Sequence, residues 1–172
     1  MRIVLLGYMA SGKSTIGKVL AKKLDLPFID LDGYIENKFQ KSISDIFNDE
    51  GEIFFRLQEH EAIKEILADQ KLFILSLGGG SPCYAGNMDL INSHEDVKSV
   101  YVKLSVNNIY NRLIAEKDHR PIVSKIPEDE LEEFIAKHLF ERSFFYEQAK
   151  IKVLTDNKNL EETIEEMETL LL

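Results

Sequence analysis

The chain has 172 residues, of which 44% are hydrophobic and 30% charged, and its formal net charge is −9. This composition is typical of one globular domain with a sizeable core, and the negative charge argues against a general nucleic-acid binder. No apolar run reaches the length of a membrane span, no signal peptide is evident, and the single cysteine, Cys83, permits no internal disulfide. We expect one domain over residues 1–172, a cytoplasmic location, a monomer, and neither nucleic acid nor membrane as a partner.

A phosphate-binding pattern lies almost at the start of the chain. Residues 7–15 read GYMASGKST and contain G-x-x-x-x-G-K-[ST], between an apolar run typical of a buried strand and an amphipathic helical pattern. A helix N-terminus and several backbone N–H groups would then surround one anion. Lys13 adds charge for the outer phosphates, and the Ser14 hydroxyl is placed to ligate Mg²⁺. A chance match in a glycine turn is the alternative. We predict a nucleoside-triphosphate site formed by Gly7, Ala10, Ser11, Gly12, Lys13, Ser14 and Thr15.

Two carboxylates follow the first predicted helix. Asp30 and Asp32 lie at the end of a short predicted strand over residues 28–32, so we expect both side chains to point to the same side. One carboxylate can then order a metal ion through water, while the other accepts the proton of an attacking hydroxyl. The alternative is a solvated turn in which Asp32 caps the next helix.

An arginine and a glutamate lie three residues apart in the helix predicted for residues 52–68. Arg56 and Glu59 therefore share one helical face. An arginine held by a neighbouring carboxylate is pre-organised to bind a substrate carboxylate through two parallel hydrogen bonds. The same spacing fits an ordinary surface ion pair equally well.

Three consecutive glycines follow the next buried strand, which is predicted for residues 72–77. Gly78, Gly79 and Gly80 leave three backbone N–H groups without side-chain cover, so a ligand can approach them closely. A flexible turn would explain one or two glycines more readily than three. We favour a functional role for this loop.

The remaining pattern predicts strands at 97–104 and 150–154 and helices at 106–115, 128–148 and 159–172. A polar segment at 116–121 is typical of a mobile loop, and its closure would bring Arg120 to a transferring phosphoryl group. Alternating strands and helices predict an α/β fold with a parallel sheet of about five strands covered on both faces. Since the phosphate loop, the aspartate pair and the triple glycine all follow strands, we expect them to face one cleft.

Taken in order, these segments resemble shikimate kinase, a P-loop kinase of the nucleoside monophosphate kinase-like group. The resemblance runs through nearly the whole chain. It rests on GYMASGKST at 7–15, FIDLD at 28–32, IFNDEGEIFFRLQE at 46–59, SLGGGS at 76–81, RPIV at 120–123 and ERSFFY at 141–146. The phosphate loop alone indicates only a nucleotide, whereas the D-x-D, F-R-x-x-E and triple-glycine series is far more specific.

The resemblance implies a three-layer α/β/α P-loop fold with a mobile lid at 112–125 and substrate-binding helices at 33–61. It also implies ATP-dependent phosphorylation of the shikimate 3-hydroxyl, with Mg²⁺, in the route to chorismate and the aromatic amino acids. Asp32 would contact that hydroxyl and act as the base, while Arg56 and Arg142 would hold the shikimate carboxylate.

Further roles follow from the same resemblance. Lys13 and Arg120 would neutralise the transferring phosphoryl group, and Arg112 would pack on adenine, near a second adenine-contacting loop at 155–158. Ser14 would ligate Mg²⁺ directly and Asp30 through water. The substrate pocket would be lined by Phe47, Phe55, Gly78, Gly79 and Gly80.

Three alternatives stay open at this stage. The chain could be a related kinase that acts on gluconate or a nucleoside monophosphate. It could be a nucleotide-dependent switch, although it lacks the Asn-Lys-x-Asp motif that specifies guanine. A catalytically dead binding domain is disfavoured by the presence of Lys13, Asp32 and Arg56.

Overall fold

A computed structural model of the protein describes residues 1–116 and 121–171. The strands are β1 (Arg2–Leu6), β2 (Phe28–Asp30), β3 (Phe73–Ser76), β4 (Val97–Lys103) and β5 (Ile151–Leu154). The helices are α1 (Lys13–Leu24), α2 (Leu31–Phe39), α3 (Ile43–Ala68), α4 (Asn87–Asn92), α5 (Val106–Ala115), α6 (Pro121–Ser124), α7 (Glu128–Tyr146) and α8 (Leu160–Leu171). A short 3-10 turn spans Ser81–Cys83.

The strands form one parallel sheet of five strands, as the sequence predicted, and their order is β2-β3-β1-β4-β5. β1 lies at the centre, and every one of its residues is buried. Its first residue, Arg2, is in register with Phe73 on one side and with Val97 on the other. A strand buried on both faces needs a nearly continuous apolar sequence, which explains the run from Ile3 to Leu6.

Alternate residues of β1 contribute to two separate cores, one on each face of the sheet. Val4 and Leu6 pack in a cluster with residues of α2, α3, α4, α5 and α7. Ile3 and Leu5 pack in a second cluster with residues of α1 and α8. Because successive side chains of a strand point to opposite faces, one short segment supports both helical layers.

The prediction that Asp30 and Asp32 lie on one strand is wrong. β2 ends at Asp30, and Asp32 lies in the first turn of α2. Asp30 caps this helix, since its Oδ1 accepts a hydrogen bond from the Gly33 N–H at 3.1 Å. The cap satisfies a backbone donor that would otherwise lack a partner, and it therefore favours ending the strand at this residue.

A kink at Gly51 divides α3 into two parts, and the second part begins where the helix over residues 52–68 was predicted to begin. This residue has φ 84° and ψ 172° inside an otherwise helical segment. A Cβ atom placed there would meet no atom within 4 Å, so the backbone angles alone favour glycine. The part of α3 after the kink carries Arg56 and Glu59.

The predicted lid is described only in part. Arg112 lies on α5, and residues 121–124 form the short helix α6. Arg120 lies outside the described residues. Of the helices in the described ranges, none combines the length and apolar character needed to cross a membrane.

Candidate active site

The phosphate loop connects β1 to α1, and two of its glycines are required by its shape. Gly7 has φ 148°, and a Cβ atom there would lie 2.6 Å from the Val102 carbonyl oxygen on β4. Gly12, at the N-terminus of α1, has φ 92°. The loop can therefore turn beneath the end of β1 only with glycine at these positions.

Lys13 is the first residue of α1, and only 8% of its surface is exposed. Its Nζ donates a hydrogen bond to the Tyr8 carbonyl oxygen at 2.9 Å and lies 3.5 Å from Ser11 Oγ. The ammonium group is thus held against the loop that surrounds the predicted anion site. A positive charge in this position complements a bound polyphosphate.

Ser14 and Asp30 bring two oxygen atoms together at the edge of the cleft. Ser14 Oγ lies 3.4 Å from Asp30 Oδ2, while Asp30 Oδ1 is engaged by the cap of α2. Mg²⁺ prefers oxygen donors and usually combines one or two protein ligands with water and substrate phosphates. This pair of hard oxygen ligands next to the phosphate loop fits that requirement.

Asp32 faces the same cleft, which has a volume of about 450 Å³ and is also lined by Lys13, Asp30, Gly78 and Gly79. Burial, and after it the nearby carboxylates with Asp30 first, raise the pKa of the Asp32 carboxyl to about 6, whereas Lys13 opposes the shift. A carboxylate with this pKa is ionised at neutral pH and is a better proton acceptor than an ordinary aspartate.

The triple-glycine loop makes room for side chains on both sides of the cleft. A Cβ atom on Gly78 would lie 3.4 Å from both Asp32 Oδ1 and Glu59 Oε1. At Gly79 it would lie 3.4 Å from Arg142 Nη1. Larger residues would crowd these charged groups, so the glycines permit their convergence on one loop.

Arg56 is held against the last glycine of this loop. A Cβ atom on Gly80 would lie only 2.7 Å from Arg56 Nη2. Arg56 Nη1 donates to Glu59 Oε2 at 2.7 Å, and the guanidinium carbon lies 4.3 Å from the centre of the Tyr84 ring. The two side chains are 16% and 1% exposed, so the pair is not an ordinary surface ion pair.

Arg142 approaches the loop from α7. Its guanidinium carbon lies 5.9 Å from the centre of the Tyr8 ring, which belongs to the phosphate loop. Tyr146, one turn further along α7, donates its hydroxyl hydrogen to the Gly79 carbonyl oxygen at 2.6 Å. The Tyr8 hydroxyl lies 2.9 Å from His138 Nδ1, and burial lowers the pKa of this histidine. Helix α7 is therefore tied to both the phosphate loop and the glycine loop.

The two predicted pocket aromatics pack against each other, with ring centres 4.6 Å apart. Phe55 is 3% exposed and belongs to the core, and its ring centre lies 5.4 Å from the Arg56 guanidinium carbon. Phe47 is half-buried beside it. Neither residue lines the cleft that holds Lys13 and Asp32, so these rings support the Arg56 side of the site.

A second cavity, of about 200 Å³, lies on the outer side of the phosphate loop. Its lining includes Gly12, Thr15, Arg112 and two residues of the loop at 155–158. Arg112 Nη1 donates to the Ala10 carbonyl oxygen at 3.0 Å, which fixes the guanidinium next to the loop. A nucleotide with its phosphates on the loop could extend its base into this cavity.

A family model described as shikimate kinase matches residues 9–171. The chain belongs to the shikimate kinase family. A curated shikimate kinase from Flavobacterium psychrophilum is 48% identical over 170 residues, which cover 99% of this chain and 98% of the relative. One from Flavobacterium johnsoniae is also 48% identical, over 96% of each chain.

Solved shikimate kinase structures share the whole fold. The Bacteroides thetaiotaomicron enzyme is 37% identical, with a TM-score of 0.90 over 99% of this chain and 98% of its own. The Acinetobacter baumannii enzyme in complex with shikimate is 29% identical, with a TM-score of 0.85 over 99% and 92%. The predicted three-layer α/β/α P-loop fold is confirmed.

Several residues of the candidate site were not predicted from the sequence. Tyr8 enters the sequence analysis only as part of the phosphate-loop pattern, and His138 has no predicted role. Ser81 and Tyr146 were included in matched segments without a role. Their contacts join residues that are 22 to 130 positions apart, and no local pattern marks such pairs.

Proposed function

We propose that this protein transfers the γ-phosphoryl group of ATP to the 3-hydroxyl of shikimate, giving shikimate 3-phosphate and ADP. One observation carries the proposal: a single cleft joins Lys13 and the phosphate loop to Asp32 and the triple-glycine loop, on which Arg56 and Arg142 converge. The donor side suits a polyphosphate, and the acceptor side suits a small molecule with a hydroxyl and a carboxylate. Membership of the shikimate kinase family supports this choice of acceptor.

On the acceptor side, Arg56 and Arg142 would bind the shikimate carboxylate. Two guanidinium groups match one carboxylate in charge and in planar hydrogen-bond geometry. Glu59 and the Tyr84 ring restrict Arg56, so little side-chain entropy is lost on binding. Gly78, Gly79 and Gly80 would let the sugar-like ring approach the backbone, with Phe47 and Phe55 behind Arg56.

The transfer itself needs one proton acceptor. The Asp32 carboxylate would take the proton of the 3-hydroxyl. At the same time the hydroxyl oxygen would bond to the γ-phosphorus, and the bond between that phosphorus and the ADP oxygen would break. A pKa of about 6 keeps Asp32 ionised at neutral pH while making it more basic than a typical aspartate. Lys13, and Arg120 if the lid closes, would neutralise charge on the phosphoryl oxygens.

Ser14 and Asp30 would hold Mg²⁺, Ser14 by direct ligation and Asp30 through water. The 3.4 Å separation of their oxygens beside the phosphate loop supports this assignment. A bound Mg²⁺ ion would supply further neutralisation of the phosphate oxygens. Gly7, Ala10, Ser11, Gly12 and Thr15 would complete the phosphate cradle, and Arg112 would pack on adenine.

Residues 33–61 would act as the acceptor-binding helices and residues 112–125 as the lid of a single domain. We also propose that the enzyme acts as a monomer in the cytoplasm. The described part of one chain supplies both donor and acceptor groups, so the proposed chemistry calls on no second subunit.

The test is a coupled ADP-release assay of the purified protein with ATP and Mg²⁺. The acceptors are shikimate, gluconate, a nucleoside monophosphate, and none. We expect ADP release that depends on shikimate and is near background with the others. Turnover of gluconate or the monophosphate but not of shikimate would overturn the proposal. A preference for GTP with slow hydrolysis and no acceptor dependence would indicate a switch protein instead.

A further inference from the structure

A buried hydrogen-bond network lies behind Arg56 and joins three segments of the chain. Its members are Glu59 on α3, Ser81 in the turn after the triple glycine, and Asn87 at the start of α4. None of the three is more than 1% exposed. Polar groups buried this deeply are costly unless they are paired, so their arrangement is well defined.

Glu59 divides its two carboxylate oxygens between different partners. Oε2 accepts the hydrogen bond from Arg56 Nη1, and Oε1 accepts one from the Ser81 hydroxyl. Arginine and a carboxylate with two available oxygens often form two parallel hydrogen bonds. With Oε1 engaged by Ser81, Glu59 holds Arg56 through one N–H group only.

Arg56 consequently keeps unused hydrogen-bonding capacity. Its Nε is buried without a hydrogen-bond partner among the described residues, and Glu52 Oε1, one turn earlier on α3, lies 3.6 Å from it. A guanidinium group has five N–H donors, and only its bond to Glu59 is a close charge-assisted contact here.

Ser81 is itself fixed from behind. Its carbonyl oxygen accepts a hydrogen bond from Asn87 Nδ2 at 2.8 Å, and Asn87 Oδ1 lies 2.8 Å from Nδ1 of His60, the residue after Glu59. The Ser81 N–H donates to the Gly78 carbonyl oxygen at 3.2 Å. The serine hydroxyl therefore has little freedom to leave Glu59.

We propose that Ser81 is a positioning residue for the acceptor. By occupying one oxygen of Glu59, its hydroxyl keeps N–H groups of Arg56 available for the acceptor carboxylate. Without this hydroxyl, Glu59 can take a second N–H of Arg56 and compete with the substrate. The inference rests on the proposed function, because it concerns how that site selects a carboxylate.

The test compares Ser81→Ala, Ser81→Thr and wild type in the ADP-release assay. We expect Ser81→Ala to raise KM for shikimate about tenfold, as for the loss of one charge-assisted hydrogen bond. KM for ATP and kcat at saturating shikimate should change less than twofold. Ser81→Thr retains the hydroxyl and should bring KM for shikimate back towards the wild-type value. Ser81→Cys, which keeps the side-chain size but donates weakly, replaces Ser81→Ala if the latter does not fold.

Ser99→Ala is the matched control. Ser99 is also fully buried, and its hydroxyl donates to Asn92 Oδ1 at 2.7 Å and accepts from the Lys150 N–H, away from the cleft. This variant should lose thermal stability without a selective rise in KM for shikimate. If the wild type phosphorylates shikimate but Ser81→Ala leaves KM for shikimate unchanged, the inference is wrong and the proposed function stands. The same holds if Ser81→Thr raises KM for shikimate as much as Ser81→Ala does. A wild type that does not use shikimate overturns the proposed function and the inference together.

Discussion

The donor and acceptor sides of the cleft are built in different ways. The phosphate-binding part of the donor side is one continuous segment, residues 7–15, whose shape depends on backbone angles at Gly7 and Gly12. The acceptor side takes Asp32 from α2, Arg56 from α3 and Arg142 from α7, and gathers them around a glycine loop. The donor side is therefore specified locally and serves any acceptor, whereas the acceptor side depends on tertiary structure and sets which molecule reacts.

Substitution of Lys13 should give the largest effect and should not distinguish acceptors. Lys13→Ala removes the buried ammonium group next to the phosphate loop, so we expect kcat to fall at least about 10⁴-fold with any acceptor. The ADP-release assay measures this, with Lys18→Ala on the exposed face of the same helix as the control. Retention of most of the turnover would show that the donor side does not depend on this charge.

Asp32→Asn should separate catalysis from nucleotide binding. The amide cannot accept the proton, so we expect kcat to fall about 10²- to 10⁴-fold while the affinity for ATP is unchanged. Single-turnover kinetics and nucleotide titration measure the two quantities. Asp25→Asn, at an exposed aspartate after α1, is the control. Unchanged turnover would remove Asp32 from the role of base.

The same carboxylate should give the activity a pH dependence. Since the pKa of Asp32 is about 6, kcat/KM for shikimate should fall about tenfold per pH unit below that value. The plot of kcat/KM against pH should lose this decrease near pH 6 in Asp32→Asn. A decrease that persists in the variant would come from the titration of another group.

The raised pKa also predicts a cost in stability. The pKa of Asp32 in the folded protein lies above its ordinary value of 3.8, so the folded state favours the protonated carboxyl. The contribution of this group to the free energy of unfolding is therefore fully present below pH 3.8 and is lost as pH rises through about 6. Asp32→Asn should therefore be more stable than wild type at pH 7.5, by up to about 3 kcal/mol. Urea denaturation at pH 7.5 measures the difference, and equal stabilities would contradict the predicted burial of charge.

Substitution of Arg142 or Arg56 should weaken binding of the acceptor and leave binding of ATP unchanged. Arg142→Ala removes a charge-assisted contact of about 1.5–3 kcal/mol, so KM for shikimate should rise about 10- to 100-fold with KM for ATP unchanged. Arg56→Ala should act in the same direction but also leaves Glu59 buried without its cation, which makes Arg142 the cleaner choice. Shikimate methyl ester is the matched probe. If Arg142→Ala weakens the ester as much as the acid, Arg142 does not bind the carboxylate.

Arg112→Ala should give the smallest change. Arg112 is exposed and would contribute only a contact of about 0.5–1 kcal/mol to adenine, so KM for ATP should rise about two- to fivefold. KM for shikimate should not change. A rise in KM for shikimate without a rise in KM for ATP would contradict the assignment of Arg112 to the adenine side of the cleft.

The local elements were predictable because their signals are local. The predicted helix at 106–115 has the observed bounds of α5, and its cap is Ser105, whose side chain accepts from the Asn108 N–H. The segment FIDLD is predicted as a short strand that ends in two carboxylates, and this prediction extends the strand through Asp32. The pattern contains no sign that Asp30 bonds to the Gly33 N–H and starts a helix there.

On the acceptor side, the sequence predicted the residues that lie in short motifs but not the contacts between distant segments. Arg56 and Glu59 were paired correctly from their spacing, but spacing did not distinguish a surface pair from this buried one. The tie between Tyr8 and His138 and the bond from Ser81 to Glu59 depend on how distant helices pack. A single sequence contains no signal for such contacts.

The outer strands of the sheet bear on how the protein avoids association through its sheet edges. Exposed strand edges are templates for pairing with another chain, and short, charged or proline-flanked edges discourage it. β2 has only three residues, between Pro27 and the helix that starts after Asp30, and β5 has four, with the exposed Lys152 among them. Asp30 therefore has two roles: it faces the proposed metal site, and by ending β2 it shortens the exposed strand edge with which another chain could pair.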